Sequence, residues 1–232
     1  MLGMASNVVL EFLRDSPFRI WTSGFVIGAV LELFARAEKN QPWSEYFFNV
    51  RYGLLYAVIT WLITPALNSL GLLIVQQMGG GWFDIRTSHS ALASVAVFGF
   101  YLFINDFLYY WWHRSQHTFG PLWDQHSLHH SPKAVNVTTA VYHHWSEGVF
   151  QTLFTVLPFT VLFKMDLVGI GLLSTIISFW QYFIHANWRL PMGPLAGVIA
   201  GPQWHRIHHS RLPQHMDKNF AAHFPVWDRL FG

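Results

Sequence analysis

The stretch "SALASVAVFGFYLFINDFLYYWWHRSQH" (Ser90–His117) joins a long apolar run to two histidines four residues apart. Its apolar part, from about Ser90 to Trp112, is long enough to cross the roughly 30 Å hydrocarbon core of a bilayer as a helix. On such a helix His113 and His117 lie on one face, one turn apart. The stretch therefore predicts a membrane-spanning helix whose end carries paired imidazoles.

The composition of the 232-residue chain also indicates a membrane protein. Hydrophobic residues make up 52% of the chain and charged residues only 11%, whereas soluble domains have about 25% charged residues. The net charge is only +2 and the basic residues are scattered, which argues against a nucleic-acid partner. The chain has no cysteine, so any metal must be bound by nitrogen or oxygen ligands.

Four further apolar segments have nearly the length of a membrane span. They run from about Phe18 to Phe34, Tyr52 to Met78, Gly148 to Phe163 and Leu167 to Ile184. Pro65 interrupts the second, which predicts a kink, a tilt or two half-spans. Only "KMD" (164–166) separates the last two, which predicts a tight helical hairpin. We therefore predict an all-α, multi-span membrane bundle that forms one domain over 1–232, with N-terminal spans in 1–89 and a histidine-rich region in 90–232.

Nine histidines have the spacing of metal ligands. In "HRSQH", "HSLHH" and "HRIHH" the imidazoles lie three or four residues apart, so each group can bind a metal from one helical turn. With the isolated His185, the candidates are His113, His117, His126, His129, His130, His185, His205, His208 and His209. Because four ligands saturate a structural zinc site, nine nitrogens predict two metals with room for an exogenous ligand. Imidazole alone does not select among zinc, copper, iron and nickel.

The order of the apolar segments predicts that these histidines lie on one side of the membrane. In chain order, the fourth apolar segment is 148–163 and the fifth is 167–184. If both cross the membrane, the loop 126–144, His185 and the segment 204–209 emerge on the side of His113. Most lysines and arginines fall on that side, and the positive-inside rule places it in the cytoplasm. We expect a histidine-rich cap that faces the cytoplasm, on a bacterial inner membrane or the endoplasmic reticulum.

Three polar residues are candidates for supporting the ligands. Asp106 lies two turns before His113, inside an apolar span where a carboxylate is costly unless it is functional, and we expect it to accept the N–H of a ligand imidazole or a bond from a neighbouring helix. Glu147 opens the fourth segment, where a carboxylate also stabilises a helix N-terminus. Asn219 follows the last histidine group and either fixes its loop or makes an ordinary turn. The isolated His89, His215 and His223 are predicted to be polar residues at the membrane interface.

These motifs resemble the fatty acid hydroxylase superfamily, also called the sterol desaturase family, whose histidine boxes are HxxxH, HxxHH and HxxHH. The first box corresponds to "DFLYYWWHRSQH" (106–117), the second to "LWDQHSLHHS" (122–131), and the third to "WHRIHHSR" with the downstream "DKNF" and "WDRLFG". The segment "NVTTAVYHHWSE" (136–147), which contains His144, is similar to a family element that ends in HPxE. His185 matches the intermediate histidine of the family, and Gln181 stands where some hydroxylases carry a tenth histidine. The resemblance implies that His144 and Gln181 also lie beside the metal ligands and support them. The resemblance covers about 106–232.

The resemblance implies a di-iron, oxygen-dependent enzyme that hydroxylates or desaturates a C–H bond of a sterol, a fatty acyl chain or an ether lipid. It implies two iron ions held by the nine histidines, with zinc as an occupant in purified protein, and O2 as the co-substrate. Electrons would come from a cytochrome b5 or ferredoxin-like partner, or from a tetrahydropterin in an alkylglycerol monooxygenase-like branch. Tyr142 and His143 depart from the pattern, because many relatives have Arg and an apolar aromatic there.

Two other classes of protein remain open on the sequence. A histidine-rich membrane metal transporter or sensor would bind metal without oxygenase activity, and a transporter should place its ligands near the bilayer midplane on broken helices. A degenerate relative would serve only as a lipid-binding scaffold, which the intact boxes disfavour. No feature of the sequence indicates an oligomeric state.

Overall fold

The computed structural model describes residues 16–85, 90–165 and 167–232. The helices are α1 Ser16–Ala35, α2 Trp43–Gln77, α3 Ala91–Thr118, α4 Gly120–His126, α5 Glu147–Leu162, α6 Leu167–His185, α7 Pro202–His208 and α8 Val226–Phe231. Helix α5 contains a π-helical turn at Thr152–Val156, and short 3-10 turns lie at Val137–Val141, Gly193–Gly197 and Pro213–His215. The described residues form no β-strand beyond one isolated bridge between Phe83 and Phe163. The all-α prediction is confirmed for this part of the chain.

Helices α2 and α3 are long and apolar enough to cross a membrane. Helix α2 has 35 residues, a length of about 50 Å, and exposes leucines such as Leu62 and Leu72. Such a surface suits contact with lipid tails. The described parts of the first and fourth segments form shorter apolar helices, Thr22–Phe34 and Glu147–Leu162. The number of spans beyond α2 and α3, and the side that faces the cytoplasm, therefore stay predictions.

Pro65 lies inside α2 without dividing it, so the predicted pair of half-spans is not found. Proline lacks a backbone N–H, and its turn loses one hydrogen bond. Hydroxyl groups of the flanking turns bind backbone carbonyls: Thr64 Oγ1 donates to Thr60 O at 2.6 Å, and Ser69 Oγ donates to Pro65 O at 2.9 Å. Such bonds help an apolar helix to tolerate a proline, and α2 continues through it.

Backbone hydrogen bonds join the segment after α2 to the end of α5. Gly81 N–H donates to Val161 O at 2.9 Å, and Phe83 N–H donates to Leu162 O at 2.8 Å. These turns thus lie at one end of the helices, whereas the histidine-bearing ends of α3 and α6 lie at the other. Asp166 of the predicted hairpin turn lies outside the described residues.

Helix α1 packs closely against α6 and the 3-10 turn Val137–Val141 because glycines lie at the contacts. A Cβ atom at Gly24 would come within 2.6 Å of the Tyr182 ring, and one at Gly28 within 2.6 Å of Val137 Cγ2. Side chains at either position would push α1 away. The glycines therefore hold α1 against two segments that lead to histidines.

Candidate metal centre

The structure brings the nine predicted ligands into two adjoining groups at the ends of α3, α4, α6 and α7. Within each group the ligand nitrogens lie within 4.8 Å of one another. The five-histidine group comprises His113, His117, His126, His130 and His208, and the four-histidine group comprises His129, His185, His205 and His209. The second and third boxes each contribute to both groups, so neither group corresponds to one sequence motif.

The Nε2 atoms within each group face one another. His113 Nε2 lies 3.1 Å from His126 Nε2, and His205 Nε2 lies 2.9 Å from His185 Nε2. Two imidazoles bound to one ion at about 2.0–2.1 Å have nitrogens roughly 2.8–3.4 Å apart, for octahedral to tetrahedral angles. Without a cation or a proton between them, two facing lone pairs repel each other. The nitrogen spacing therefore fits a shared metal ion in each group.

In the five-histidine group, oxygen atoms fix the outward ring nitrogens. His113 Nδ1 lies 2.7 Å from Phe220 O, and His208 Nδ1 lies 2.8 Å from Lys218 O. A carbonyl only accepts hydrogen bonds, so both Nδ1 atoms carry the proton and leave the Nε2 lone pair inward. Nε2 of His208 is buried with no hydrogen-bond partner among the described residues, as a metal-binding atom would be.

The four-histidine group has the same arrangement. His129 Nδ1 donates to Tyr142 O at 3.0 Å, and His185 Nδ1 donates to Gln181 O at 2.7 Å. Their Nε2 atoms lie 3.1 Å apart. The ring orientation and the tautomer are thus set by the backbone.

Burial keeps the imidazoles outside the long helices neutral. Loss of hydration, and then the neighbouring imidazoles, hold the pKa of each well below the ordinary value of about 6.5. This applies to His126, His129, His130, His205, His208 and His209. Neutral imidazole is the form that binds metal, so the lowered pKa values favour binding of a metal ion over protonation of the rings.

Asp106 binds backbone amides rather than the predicted ligand imidazole or a neighbouring helix. Its Oδ1 accepts from the N–H groups of Ala222 and His223, and its Oδ2 accepts from Phe224 N–H. The carboxylate is fully buried, and these donors compensate for its lost hydration. Asp106 therefore fixes the segment next to Phe220, whose carbonyl holds a ligand ring.

The prediction for His223 was wrong. Its side chain is buried instead of lying at a membrane interface. Nδ1 lies 3.1 Å from Asp106 Oδ1, and the ring stacks on Trp180 with centroids 5.3 Å apart. His215 is partly exposed, with Nδ1 2.9 Å from Ser210 Oγ. His89 lies outside the described residues.

Glu147 holds the first two boxes together through glutamines. Its Oε2 accepts from Gln116 Nε2 at 2.8 Å and also from Gln125 Nε2, and its Oε1 accepts from Trp112 Nε1 at 3.2 Å. Gln116 belongs to the first box, and Gln125 directly precedes His126. The carboxylate of Glu147 thus positions the ligand histidines indirectly, through glutamines that are next to them in sequence.

The remaining predicted support residues have smaller roles in the geometry. His144 lies outside both groups, and its Nδ1 is 2.8 Å from the hydroxyl of Ser146. Gln181 accepts the His185 bond through its backbone carbonyl. Asn219 has a φ of 63°, and its Nδ2 donates to the carbonyl of residue 204 at 3.0 Å. Asn219 therefore fixes the turn after the third box.

Two residues near the ligands were not predicted to support the site. His143 stacks on His129 with ring centroids 4.1 Å apart and planes 10° apart. Glu32, which the sequence shows only as a charge in the first apolar segment, is 1% exposed. An ionisable group inside an apolar segment is itself a signal of function, and that signal was present for Glu32.

Comparison with known proteins agrees with the geometry. The fatty acid hydroxylase family model matches residues 98–232. The chain is 32% identical over 127 residues to alkylglycerol monooxygenase of Xenopus tropicalis and 30% identical over 131 residues to that of Homo sapiens, and each alignment covers 55% of this chain but 28% of the relative. It is 27% identical over 142 residues to the very-long-chain aldehyde decarbonylase GL1-6 of Oryza sativa subsp. indica, an alignment that covers 55% of this chain and 21% of the relative. No solved structure matches the chain. The matched residues contain all nine candidate ligands, and the chain belongs to the fatty acid hydroxylase family.

Proposed function

We propose that the chain is an O2-dependent membrane oxidoreductase that hydroxylates a C–H bond of a lipid, with one iron ion in each histidine group. The observation that carries this proposal is the pair of adjoining groups of inward-facing Nε2 atoms at the ends of apolar helices. Iron bound there would supply the activation of O2 that an unreactive C–H bond requires. Zinc would also fit imidazole ligands, as an occupant without redox chemistry.

Relatives suggest which lipid to test first. The chain is similar to alkylglycerol monooxygenases over the histidine boxes. An ether lipid with an alkylglycerol group is therefore the first proposed substrate, ahead of a sterol or a fatty acyl chain. Such a lipid would enter from the bilayer, since apolar helices lead directly to the histidine groups.

Hydrogen bonds and burial fix the orientation of the ligand histidines and limit their contact with water. Backbone carbonyls orient His113, His129 and His185, while Glu147 joins the first two boxes. Burial excludes bulk water from most of the imidazoles, which protects a reactive site from side reactions.

The proposed reaction needs an external source of electrons. One oxygen atom of O2 enters the C–H bond and the other leaves as water, so a donor must supply two electrons and two protons. We propose a cytochrome b5 or ferredoxin-like protein, or a tetrahydropterin, as the donor. If the histidine-bearing end faces the cytoplasm, the donor approaches from there.

A metal transporter or sensor is the alternative from a different class. A transporter would hold its ligands near the bilayer midplane on broken helices. Here His113 and His117 lie in the last two turns of a continuous helix, and His185 ends another. This placement favours the oxidoreductase.

Lipid profiles test the proposal. Cells that express the chain or its His209→Ala variant would be grown with O2 and each candidate donor, and their lipids compared by mass spectrometry. We expect a lipid that gains one oxygen atom only with the unchanged chain. A lipid that loses two hydrogens would indicate desaturation, and a lost ether lipid would indicate ether cleavage. Identical profiles with every donor, together with weak and exchangeable metal binding, would contradict the proposal and favour transport.

A further inference from the structure

We infer that Glu32 in α1 positions the ligands of the four-histidine group, and of that group alone. The inference rests on the proposed metal centre. Glu32 lies outside the residues 98–232 that the family model matches, and its side chain is 1% exposed. A carboxylate so deeply buried requires hydrogen-bond donors to replace its water.

One carboxylate oxygen of Glu32 accepts two backbone hydrogen bonds. The N–H groups of Val137 and Asn187 both donate to Oε1, each at 2.7 Å. The hydroxyl of Tyr46 donates to the other oxygen, Oε2, at 3.2 Å. The two amides are 105 and 155 residues away in sequence, so one side chain joins α1 to two distant segments.

Both segments lead to ligands of the four-histidine group. Val137 begins the 3-10 turn that ends next to Tyr142, whose carbonyl accepts from His129 Nδ1 at 3.0 Å. Asn187 lies two residues after His185, where the chain leaves α6. Displacement of either amide would therefore move an imidazole of this group.

Arg206 extends the same network to α7. Its guanidinium donates to Asn187 Oδ1 at 3.2 Å and to Glu38 Oε1 at 2.5 Å. Arg206 directly follows His205 and lies three residues before His209. Each ligand of the four-histidine group is thus linked to Glu32. His129 is linked through the turn that begins at Val137, and His185 through Asn187. His205 and His209 are linked through Arg206, which binds Asn187.

The five-histidine group has a separate support. Its ligands His113 and His208 donate to carbonyls of the loop 218–220. That loop is held by Asp228, which accepts from Phe220 N–H at 2.7 Å, and continues into the segment bound by Asp106. The described hydrogen bonds of Glu32 include none of these residues. Glu32 therefore supports one group, whereas Asp106 and Asp228 support the other.

The geometry at Oε1 predicts an order among substitutions at position 32. Glutamine keeps an acceptor oxygen for both N–H groups and turns its amide toward the Tyr46 hydroxyl, which can accept. Aspartate keeps the charge, but its side chain is one methylene shorter and withdraws the oxygen from the amides. Leucine has a similar size and no acceptor, so it leaves both N–H groups buried without a partner.

The test measures metal binding by the full chain in lipid nanodiscs, after chelation and addition of Co²⁺. We expect two ions per chain for the unchanged protein and for Glu32→Gln. Glu32→Asp and Glu32→Leu should weaken the binding of one ion by about tenfold or more, the usual effect of losing support for a ligand. Tyr46→Phe is the matched control, because it leaves both bonds to Oε1 in place and should keep both ions. Hydrogen exchange at Val137 and Asn187 should rise only in the Asp and Leu variants.

Double variants assign the affected site. Added to His209→Ala, which already removes the ion of the four-histidine group, Glu32→Leu should leave the affinity for the remaining ion unchanged. Combined with His117→Ala in the other group, Glu32→Leu should leave both ions weakly bound. Unchanged affinities in Glu32→Asp, or equal weakening of both ions, would overturn the inference. Glu32→Asp decides the matter if Glu32→Leu does not fold. No Co²⁺ binding by the unchanged protein would instead overturn the proposed function, so the two failures are distinguishable.

Discussion

His130 and His209 stack across the boundary between the two histidine groups, with ring centroids 4.3 Å apart and ring planes 21° apart. His130 belongs to the five-histidine group and His209 to the four-histidine group. Two ions bound on either side of this stack would share one buried environment. Under the proposed function, this contact would join the two ions into one binuclear centre rather than two independent sites.

We predict that His209→Ala reduces the metal content from two ions to one per chain and abolishes lipid oxidation. His209 Nε2 lies 3.1 Å from His205 Nε2, so its loss opens the four-histidine group. Elemental mass spectrometry of the purified protein measures the content. His215→Ala is the control, because His215 follows the third box closely in sequence but lies outside both groups. This variant should keep both ions. A two-ion His209→Ala variant would contradict the assignment.

We predict that His143→Phe keeps both ions and most of the activity. The His143 ring stacks on His129 but lies outside the two ligand groups, and a phenyl ring preserves the stacking surface. Metal content and lipid oxidation would be measured on the same preparation. Loss of one ion would show instead that His143 is a tenth ligand.

We predict that Asp106→Asn destabilises the protein by about 1–3 kcal/mol, because one donor N–H of the new amide must face a backbone donor. Oδ1 and Oδ2 of Asp106 both accept from backbone N–H groups, and asparagine offers only one acceptor oxygen. Thermal unfolding in detergent measures the change. Asp124→Asn, at an exposed position of α4, should stay within about 0.5 kcal/mol. Equal stability of the two variants would refute the role given to Asp106.

We predict that the metal-free protein loses stability as the pH falls from 7.5 to 5.5. The unfolded histidines titrate near pH 6.5, whereas burial lowers the folded-state pKa of residues such as His126 and His205. Below pH 6.5 the unfolded state therefore binds more protons than the folded state, and acid favours unfolding. The melting temperature of chelated protein across this range tests the direction. A melting temperature that does not change with pH would mean that these imidazoles are hydrated in the folded protein.

The ligands were predictable from the sequence because their spacing is a local property. Pairs such as His113 and His117 lie one helical turn apart whatever the tertiary fold. Their division into groups of five and four was not predictable, because His129 and His130 are neighbours in sequence yet belong to different groups. That division depends on how α6 and α7 approach the second box.

The supporting carboxylates were only partly predictable. Apolar surroundings single out Asp106 and Glu147 as unusual, but their partners lie up to 118 and 35 residues away. Hydrogen bonds between residues so far apart in sequence cannot be inferred from a local sequence pattern. Helix ends were also displaced, since hydropathy predicts an apolar span to Trp112 while α3 continues to Thr118. Hydropathy follows only the apolar side chains, whereas the backbone hydrogen bonds of α3 continue beyond them.

The distribution of the ligands along the chain determines when the proposed centre can be assembled during synthesis. The five-histidine group is incomplete until His208 has been made, and the four-histidine group until His209. Helices α1 to α6 all precede both residues. Synthesis of these helices would therefore be complete before either ion of the proposed centre could be fully coordinated, so metal loading would be a late step in the maturation of the protein.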